Sequence, residues 1–175
     1  MTLNEIYAFK EELRTISMDF DNNHAMVKSN FAIVNFDKAK DVYAKEFGAY
    51  SPKSCDGLYY CAAEDTYYFV EFKNGKINND VRLQVNLKVL ESISLLSDVL
   101  NMPTSFFREK CTFILVFNDS KNRSSIGAHV MRNAGVELVR FGLDRLEKLY
   151  LKKVYTLNPW EFTSRFVRNW EKGSV

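Results

Sequence analysis

The sequence predicts a mixed α/β domain in which helices flank a central β-sheet. Three stretches carry that prediction. Thr112 to Phe117 reads TFILVF, a run rich in β-branched and aromatic residues with no polar interruption, as in a strand buried on both faces. From Val81 to Asn101, Val81, Val85, Val89, Ile93, Leu96 and Leu100 recur at three- and four-residue spacing, the signature of a helix packed on a sheet. Between Asp56 and Lys73 two short apolar runs are joined by a polar turn at Ala63, Glu64 and Asp65, which reads as a β-hairpin.

Taken in order, Thr2 and Glu5 form a capping box for a helix expected over Leu3 to Ser17, with Ile6, Phe9, Leu13 and Ile16 as its apolar stripe. Asp19 to Asn23 is a polar loop, and Phe31 to Val34 is an apolar run of undecided type. Asn35 caps a helix over Asp37 to Phe47 that Gly48 ends, with Ala39, Val42, Tyr43 and Phe47 expected to face inward. The hairpin follows. Asn74-Gly75 then turns the chain into the long helix, where Leu83, Leu87 and Leu90 are expected to widen the buried stripe, and Pro103 stops it. A helix is expected from Ser124 or Ser125 to Gly135, and another over Leu143 to Leu149. Lys153 to Leu157 reads as a late strand. Asn158-Pro159-Trp160-Glu161 places a cap, a proline at the first helical position and an acid at the third, so a final helix runs to about Lys172 with Phe162, Phe166 and Trp170 on one face.

Composition narrows the function classes. A chain of 175 residues with 46% hydrophobic and 14% aromatic content can bury a core, and one domain, residues 1–175, is the natural reading. Three cysteines, Cys55, Cys61 and Cys111, without C-x-x-C spacing argue against a disulfide framework or a zinc ribbon and for a reducing, cytoplasmic setting. No stretch reads as a signal peptide or a membrane span, because Glu5, Lys10, Glu11 and Glu12 interrupt the first turns and no apolar run reaches the roughly 20 residues a span needs. His24 and His129 have no partners at ligand spacing, and no glycine-rich phosphate loop or nucleophile elbow occurs. The net charge of +2 is uneven: Arg140 to Lys172 carries eight bases against four acids, a surplus that suits either a solvated helix face or contact with a phosphate backbone.

The chemically informative residues lie in the hairpin. Asp56 opens the first run, and Glu71-Phe72-Lys73 closes the second. Side chains alternate along a strand, so Tyr67, Phe69, Glu71 and Lys73 share one face, and Tyr68, Val70 and Phe72 take the other. A carboxylate and an ammonium at the end of so apolar a strand are costly to bury unless they are paired or bound to a metal. Tyr59, Tyr60, Tyr67 and Tyr68 suit either base stacking or cross-strand packing.

Asp56 together with Glu71-Phe72-Lys73 resembles the core of the PD-(D/E)xK, or restriction-endonuclease-like, phosphodiesterase superfamily. The resemblance spans residues 36–117, as helix, strand, strand, helix, strand, with a helical C-terminal extension. Cys55 stands where the superfamily has proline before the aspartate. The resemblance implies a restriction-endonuclease-like core and a metal-dependent nuclease acting on DNA or RNA. Asp56, Glu71 and the Phe72 carbonyl would bind Mg2+ or Mn2+, and Lys73 would assist the attacking water. It also implies an acid from a preceding helix, for which Glu46 is the first choice and Glu11 or Glu12 the second. A Gln or Lys from the following helix, Gln84 or Lys88, would complete the set. A homodimer and a protein partner are further expectations. The competing expectation is a non-enzymatic interaction protein, a toxin-immunity or regulatory binding protein, on the same type of scaffold.

Overall fold

The computed structural model describes residues 1–48, 50–123 and 138–173. Its centre is a six-stranded sheet of β1 (Lys10–Glu12), β4 (Ala32–Asn35), β5 (Gly57–Cys61), β6 (Thr66–Lys73), β7 (Cys111–Phe117) and β8 (Lys153–Leu157), in the order β1-β4-β5-β6-β7-β8. The first four strands pair antiparallel, whereas β6–β7 and β7–β8 are parallel. The parallel pairs need long crossovers. That from β6 to β7 contains α4 (Asn79–Leu100) and α5 (Thr104–Lys110). Two short strands, β2 (Met18–Asp19) and β3 (His24–Ala25), form a separate hairpin.

Alternation along the central strands builds two apolar layers. Tyr67, Phe69, Phe113, Leu115 and Phe117 pack with Phe36 and Ala39 of α3 (Phe36–Glu46) and with Val85, Val89, Ile93 and Leu96 of α4. Tyr68, Val70, Phe72, Ile114 and Val116 face the other way, onto Phe162, Val167 and Trp170. These last come from α6 (Pro159–Phe162), a π-helical turn over Thr163–Val167, and α7 (Arg168–Gly173). The sheet is thus covered on both sides, which suits its fully buried strand β7.

Local signals set most of the boundaries. Asn35 accepts from the Lys38 N–H to cap α3, and Gly48, at φ +59°, follows its end. Asn78 caps α4, and Asn101 closes it in the left-handed region at φ 51°. Asn158 and Glu161 form a capping box with Pro159 at the first position. Gly57 is a strand residue and not a turn residue. A Cβ there would lie 2.5 Å from Ile33 Cδ1, the end of a side chain on β4, so a larger residue would require Ile33 to shift.

Several expectations are corrected. The helix expected over Leu3 to Ser17 is α1 (Leu3–Tyr7), then β1, then α2 (Leu13–Ile16). Ile6 packs in the α4 layer and Leu13 in the opposite one, which a single amphipathic stripe could not satisfy. Leu83, Leu87 and Leu90 are exposed, because α4 meets the sheet with one stripe only. Val42 and Phe47 of the α3 region are exposed as well. The segment around Leu143 and Leu146 is a single 3₁₀ turn, Asp144–Leu146, that buries both leucines and leaves Leu149 outside. The helix expected from Ser124 or Ser125 to Gly135, and His129 within it, lie outside the described residues.

Candidate functional site

The hairpin register places the two acids. Gly57 pairs with Val70, so one step further along the same register sets Asp56 opposite Glu71. Asp56 is held by backbone on two sides. Its carbonyl accepts from Phe36 N–H at the start of α3 (3.0 Å), and its carboxylate Oδ2 accepts from Phe72 N–H (2.7 Å). The preceding loop is docked on the flanking helices: Cys55 N–H donates to the buried Ser92 hydroxyl of α4 (2.8 Å), and the Ser54 hydroxyl donates to Asp37 of α3 (2.6 Å).

Four charged side chains converge at this point. Glu71 is completely buried. Lys88, from the middle of α4, reaches down to the sheet and donates to Asp56 Oδ1 (2.9 Å) and to both Glu71 oxygens (2.8 and 3.0 Å). Lys73, two residues beyond Glu71 on the same face, pairs with Glu71 Oε1 at 2.6 Å. Two carboxyl groups therefore meet two ammonium groups, and the cluster is neutral when both carboxyls are ionised. Without Lys88 the two carboxylates would face each other with only Lys73 nearby, which a buried site tolerates poorly.

The electrostatics follow from burial. Desolvation pushes the Glu71 carboxyl up, and the neighbouring Asp56 pushes the same way. Lys73 and Lys88 pull it back, and it comes to rest at about 7. Burial acts to lower the Lys88 ammonium, but Glu71 and Asp56 overcome it and raise its pKa above that of an ordinary lysine. The Cys55 thiol is pushed up by burial first and by Glu71 second, so it is an inert core group.

Asp56 and Lys73 open onto a cleft of about 570 Å³. Its floor includes Phe72 and Asn74. One wall is α3, with Asp37, Lys38 and Asp41; the other is α2 and the β2–β3 hairpin, with Ile16, Met18, Asp19 and Phe20. Glu11 also lines it, accepting from Asn35 Nδ2 (2.9 Å) and pairing with Lys38. Five lining acids, Glu11, Asp19, Asp37, Asp41 and Asp56, face two lining bases, Lys38 and Lys73, so the cleft is acidic.

The sequence-predicted residues divide accordingly. Asp56, Glu71 and Lys73 are brought together, and of the two α4 residues named from sequence Lys88 joins them while Gln84 stays exposed. Glu46 is not brought into the cluster: at the end of α3 its carboxylate takes the Met1 ammonium at 2.6 Å. Glu12 pairs with Arg14. The acid that does reach the cleft from the N-terminal segment is Glu11, because Lys10–Glu12 is a strand beside β4 and not part of a helix. Asp37 and Asp41 were not singled out; their spacing of four on α3, on the side away from buried Phe36 and Ala39, is the signal that would have found them.

The other candidates resolve into packing. Tyr59 and Tyr68 lie 4.5 and 5.2 Å from the Trp170 ring, and Tyr60 lies 4.6 Å from Tyr67, so these tyrosines serve the core. Arg165 of the basic C-terminal stretch packs over Tyr155 and Phe166. All three cysteines are buried thiols. Among the described residues no group of three or more His, Cys, Asp or Glu side chains is arranged to hold a metal ion, and no helix is long and apolar enough to cross a membrane. No family model, curated protein or solved structure significantly matches the chain.

Proposed function

We propose that this protein is a metal-dependent nuclease, or nuclease-like phosphodiesterase, of the PD-(D/E)xK type, acting on DNA or RNA with Mg2+ or Mn2+. The observation that carries the reading is the convergence of Asp56, Glu71, Lys73 and Lys88 at the ends of two strands and on a helix, with Asp56 and Lys73 opening onto one cleft and Glu71 and Lys88 behind them. The order α3, β5, β6, α4, α5, β7 over residues 36–117 supports it, being the helix, strand, strand, helix, strand order the resemblance implies with one short helix, α5, added before β7.

The donor set fits a hard divalent cation. Asp56 and Glu71 already direct oxygens at one positive centre, the Lys88 ammonium, from 2.9 and 2.8 Å. Magnesium is typically held by one or two carboxylates with several waters retained. The Phe72 carbonyl suits a third donor, since Phe72 N–H donates to Asp56 and, in a strand, the carbonyl of the same residue faces the same side. When bound, the ion supplies an acidified water and positive charge at the phosphoryl group.

The chain's own residues do the rest. Phe72 N–H and the Phe36 contact fix Asp56, so its carboxylate needs no reorganisation. Lys88 sets the spacing of the two acids, and its place between them is the one a cation held by both would take. Lys73, partly open to the cleft, holds positive charge where negative charge grows on phosphoryl oxygen. The acidic walls admit a polyanion only when cations accompany it, in keeping with metal dependence.

In a cleavage assay with single- and double-stranded DNA and RNA, Mg2+ or Mn2+ should support cutting and a chelator should stop it. Asp56→Asn and Glu71→Gln should each lower the rate at least about 100-fold, the scale of losing preorganised charge stabilisation. Undiminished cutting by Glu71→Gln would overturn the assignment.

One observation favours the interaction-protein reading. Lys88 fills the gap between the carboxylates, so the cluster satisfies itself without an outside group. Absence of both cation binding and cutting, with a stable protein partner recovered, would put a toxin-immunity or regulatory binding role first.

A further inference from the structure

The cleft carries an aromatic side chain that the fold does not use. Phe20 sits in the turn between β2 and β3 and is 83% exposed, yet it lines the same cleft as Asp56 and Lys73. Its sequence neighbours, Asp19, Asp21, Asn22 and Asn23, are all polar. The turn is built without it: the Asp19 carboxylate accepts from Asn22 N–H (3.2 Å) and Asn22 Nδ2 (2.8 Å), and Asn23 takes the left-handed region at φ 47°. A large apolar ring that is four-fifths exposed at a polar turn adds little to the stability of the folded chain.

The hairpin is also held in place over the site. Asp19 Oδ2 accepts from Asn74 Nδ2 at 2.6 Å, and Asn74 directly follows Lys73. Asn74 Oδ1 in turn accepts from Asn118 Nδ2 (2.7 Å), which ties the hairpin to the ends of both β6 and β7. At its base, Met26 N–H donates to the Ser17 carbonyl (3.1 Å), and Val27 N–H to the Ser17 hydroxyl (3.0 Å). Phe20 thus extends from an anchored arm.

Size and charge narrow what the arm meets. A cleft of about 570 Å³ has the scale of a small-molecule site, roughly 300–1,000 Å³, and suits a nucleotide unit better than a duplex. Its walls carry more acids than bases, with Glu11 paired to Lys38, Asp37 to Lys40 and Asp41 without a basic partner among the described residues, so the part of a ligand that enters brings few phosphates and gains from a neutral contact. An exposed ring offers that contact to an unpaired base, because every base has a face to stack. A base within a duplex is already stacked on its neighbours.

Resting on the phosphodiesterase reading, we propose that the β2–β3 hairpin is a substrate-reading arm. Phe20 stacks on an unpaired base whose adjoining phosphate lies at the end of the cleft lined by Asp56 and Lys73, so the substrate is single-stranded or locally unpaired nucleic acid.

The test is fluorescence anisotropy with a labelled ten-nucleotide strand and the matching duplex, in Mn2+. It uses the full chain carrying Lys73→Ala, which slows cutting and keeps both carboxylates, with and without Phe20→Ala or Phe20→Trp. The single strand should bind at least tenfold tighter than the duplex. Phe20→Ala should weaken single-strand binding about 5- to 150-fold, the worth of one stacked base, with the melting temperature unchanged. Phe20→Trp should retain binding. Equal binding by Phe20→Ala, or a duplex held as tightly as the single strand, would overturn the arm; Glu71-dependent cutting by the chain with Lys73 intact would then leave the phosphodiesterase reading standing. No binding of either strand and no cutting would sink both.

Discussion

The two faces of strand β6 solve different problems. On one, Tyr68, Val70 and Phe72 meet Trp170, Phe162 and Phe166 in a cluster of rings, with Phe72 lying 6.0 Å from Phe162 and Tyr68 5.7 Å from Phe166. On the other, Tyr67 and Phe69 continue into Glu71 and Lys73, and the layer ends in four charges held by one another. The aromatic face gains from every buried carbon. The charged end gives back much of its attraction in desolvation, and apolar residues of similar volume would commonly serve stability as well or better. That Glu71 is fully buried beside Asp56 despite this cost is the observation behind the proposal of chemistry at that end.

Breaking the aromatic face should cost the most stability and leave the charged end working. Trp170→Ala removes the ring that touches Phe31, Tyr59, Tyr68, Phe162 and Phe166. It should lower unfolding free energy by about 3–5 kcal/mol in urea, with cation binding retained below the midpoint.

Breaking the charged end should cost somewhat less, and in a pH-dependent way. Lys88→Met leaves Glu71 and Asp56 with Lys73 alone, and should destabilise by about 3 kcal/mol at pH 7.5. The Glu71 carboxyl, already raised to about 7 from an ordinary 4.5, then rises further. A carboxyl raised in the folded state contributes stability that is fully present below its unfolded value and lost as pH climbs through its folded value. The deficit of Lys88→Met relative to wild type should therefore be smaller at pH 5 than at pH 7.5 in parallel urea melts. A deficit that grows on acidification would mean that Glu71 is not the group Lys88 serves.

The smallest effect belongs to the start of the helix that covers the aromatic face. Asn158→Ala removes the side-chain acceptor of Glu161 N–H and should cost about 1 kcal/mol in thermal melts, without altering pH dependence or cation binding.

Much of this arrangement was readable locally. The Ala63–Asp65 turn fixes the hairpin register, and the register sets Asp56 against Glu71. Alternation along β6 separates Glu71 and Lys73 from Phe72, and TFILVF marks the doubly covered strand. What local pattern missed depends on distant partners. Lys10–Glu12 is a strand only because β4 lies beside it, and that pairing turns Glu11 toward the cleft in place of Glu46. The choice between Gln84 and Lys88 required knowing which side of α4 faces the end of β6. The exposure of Leu83, Leu87 and Leu90 depends on how wide a stripe the sheet can cover, which spacing along α4 does not reveal. Phe20 reads as part of a polar loop because its ring is used by nothing nearby in the chain, and only its place beside the cleft sets it apart.

The most direct test of the central claim is a calorimetric titration of Mn2+ into wild type, Asp56→Asn, Glu71→Gln and, as a control off the cluster, Glu46→Gln. One site in wild type and Glu46→Gln that is lost in both Asp56→Asn and Glu71→Gln is the predicted result. No binding by wild type, or binding that survives both substitutions, would contradict the account.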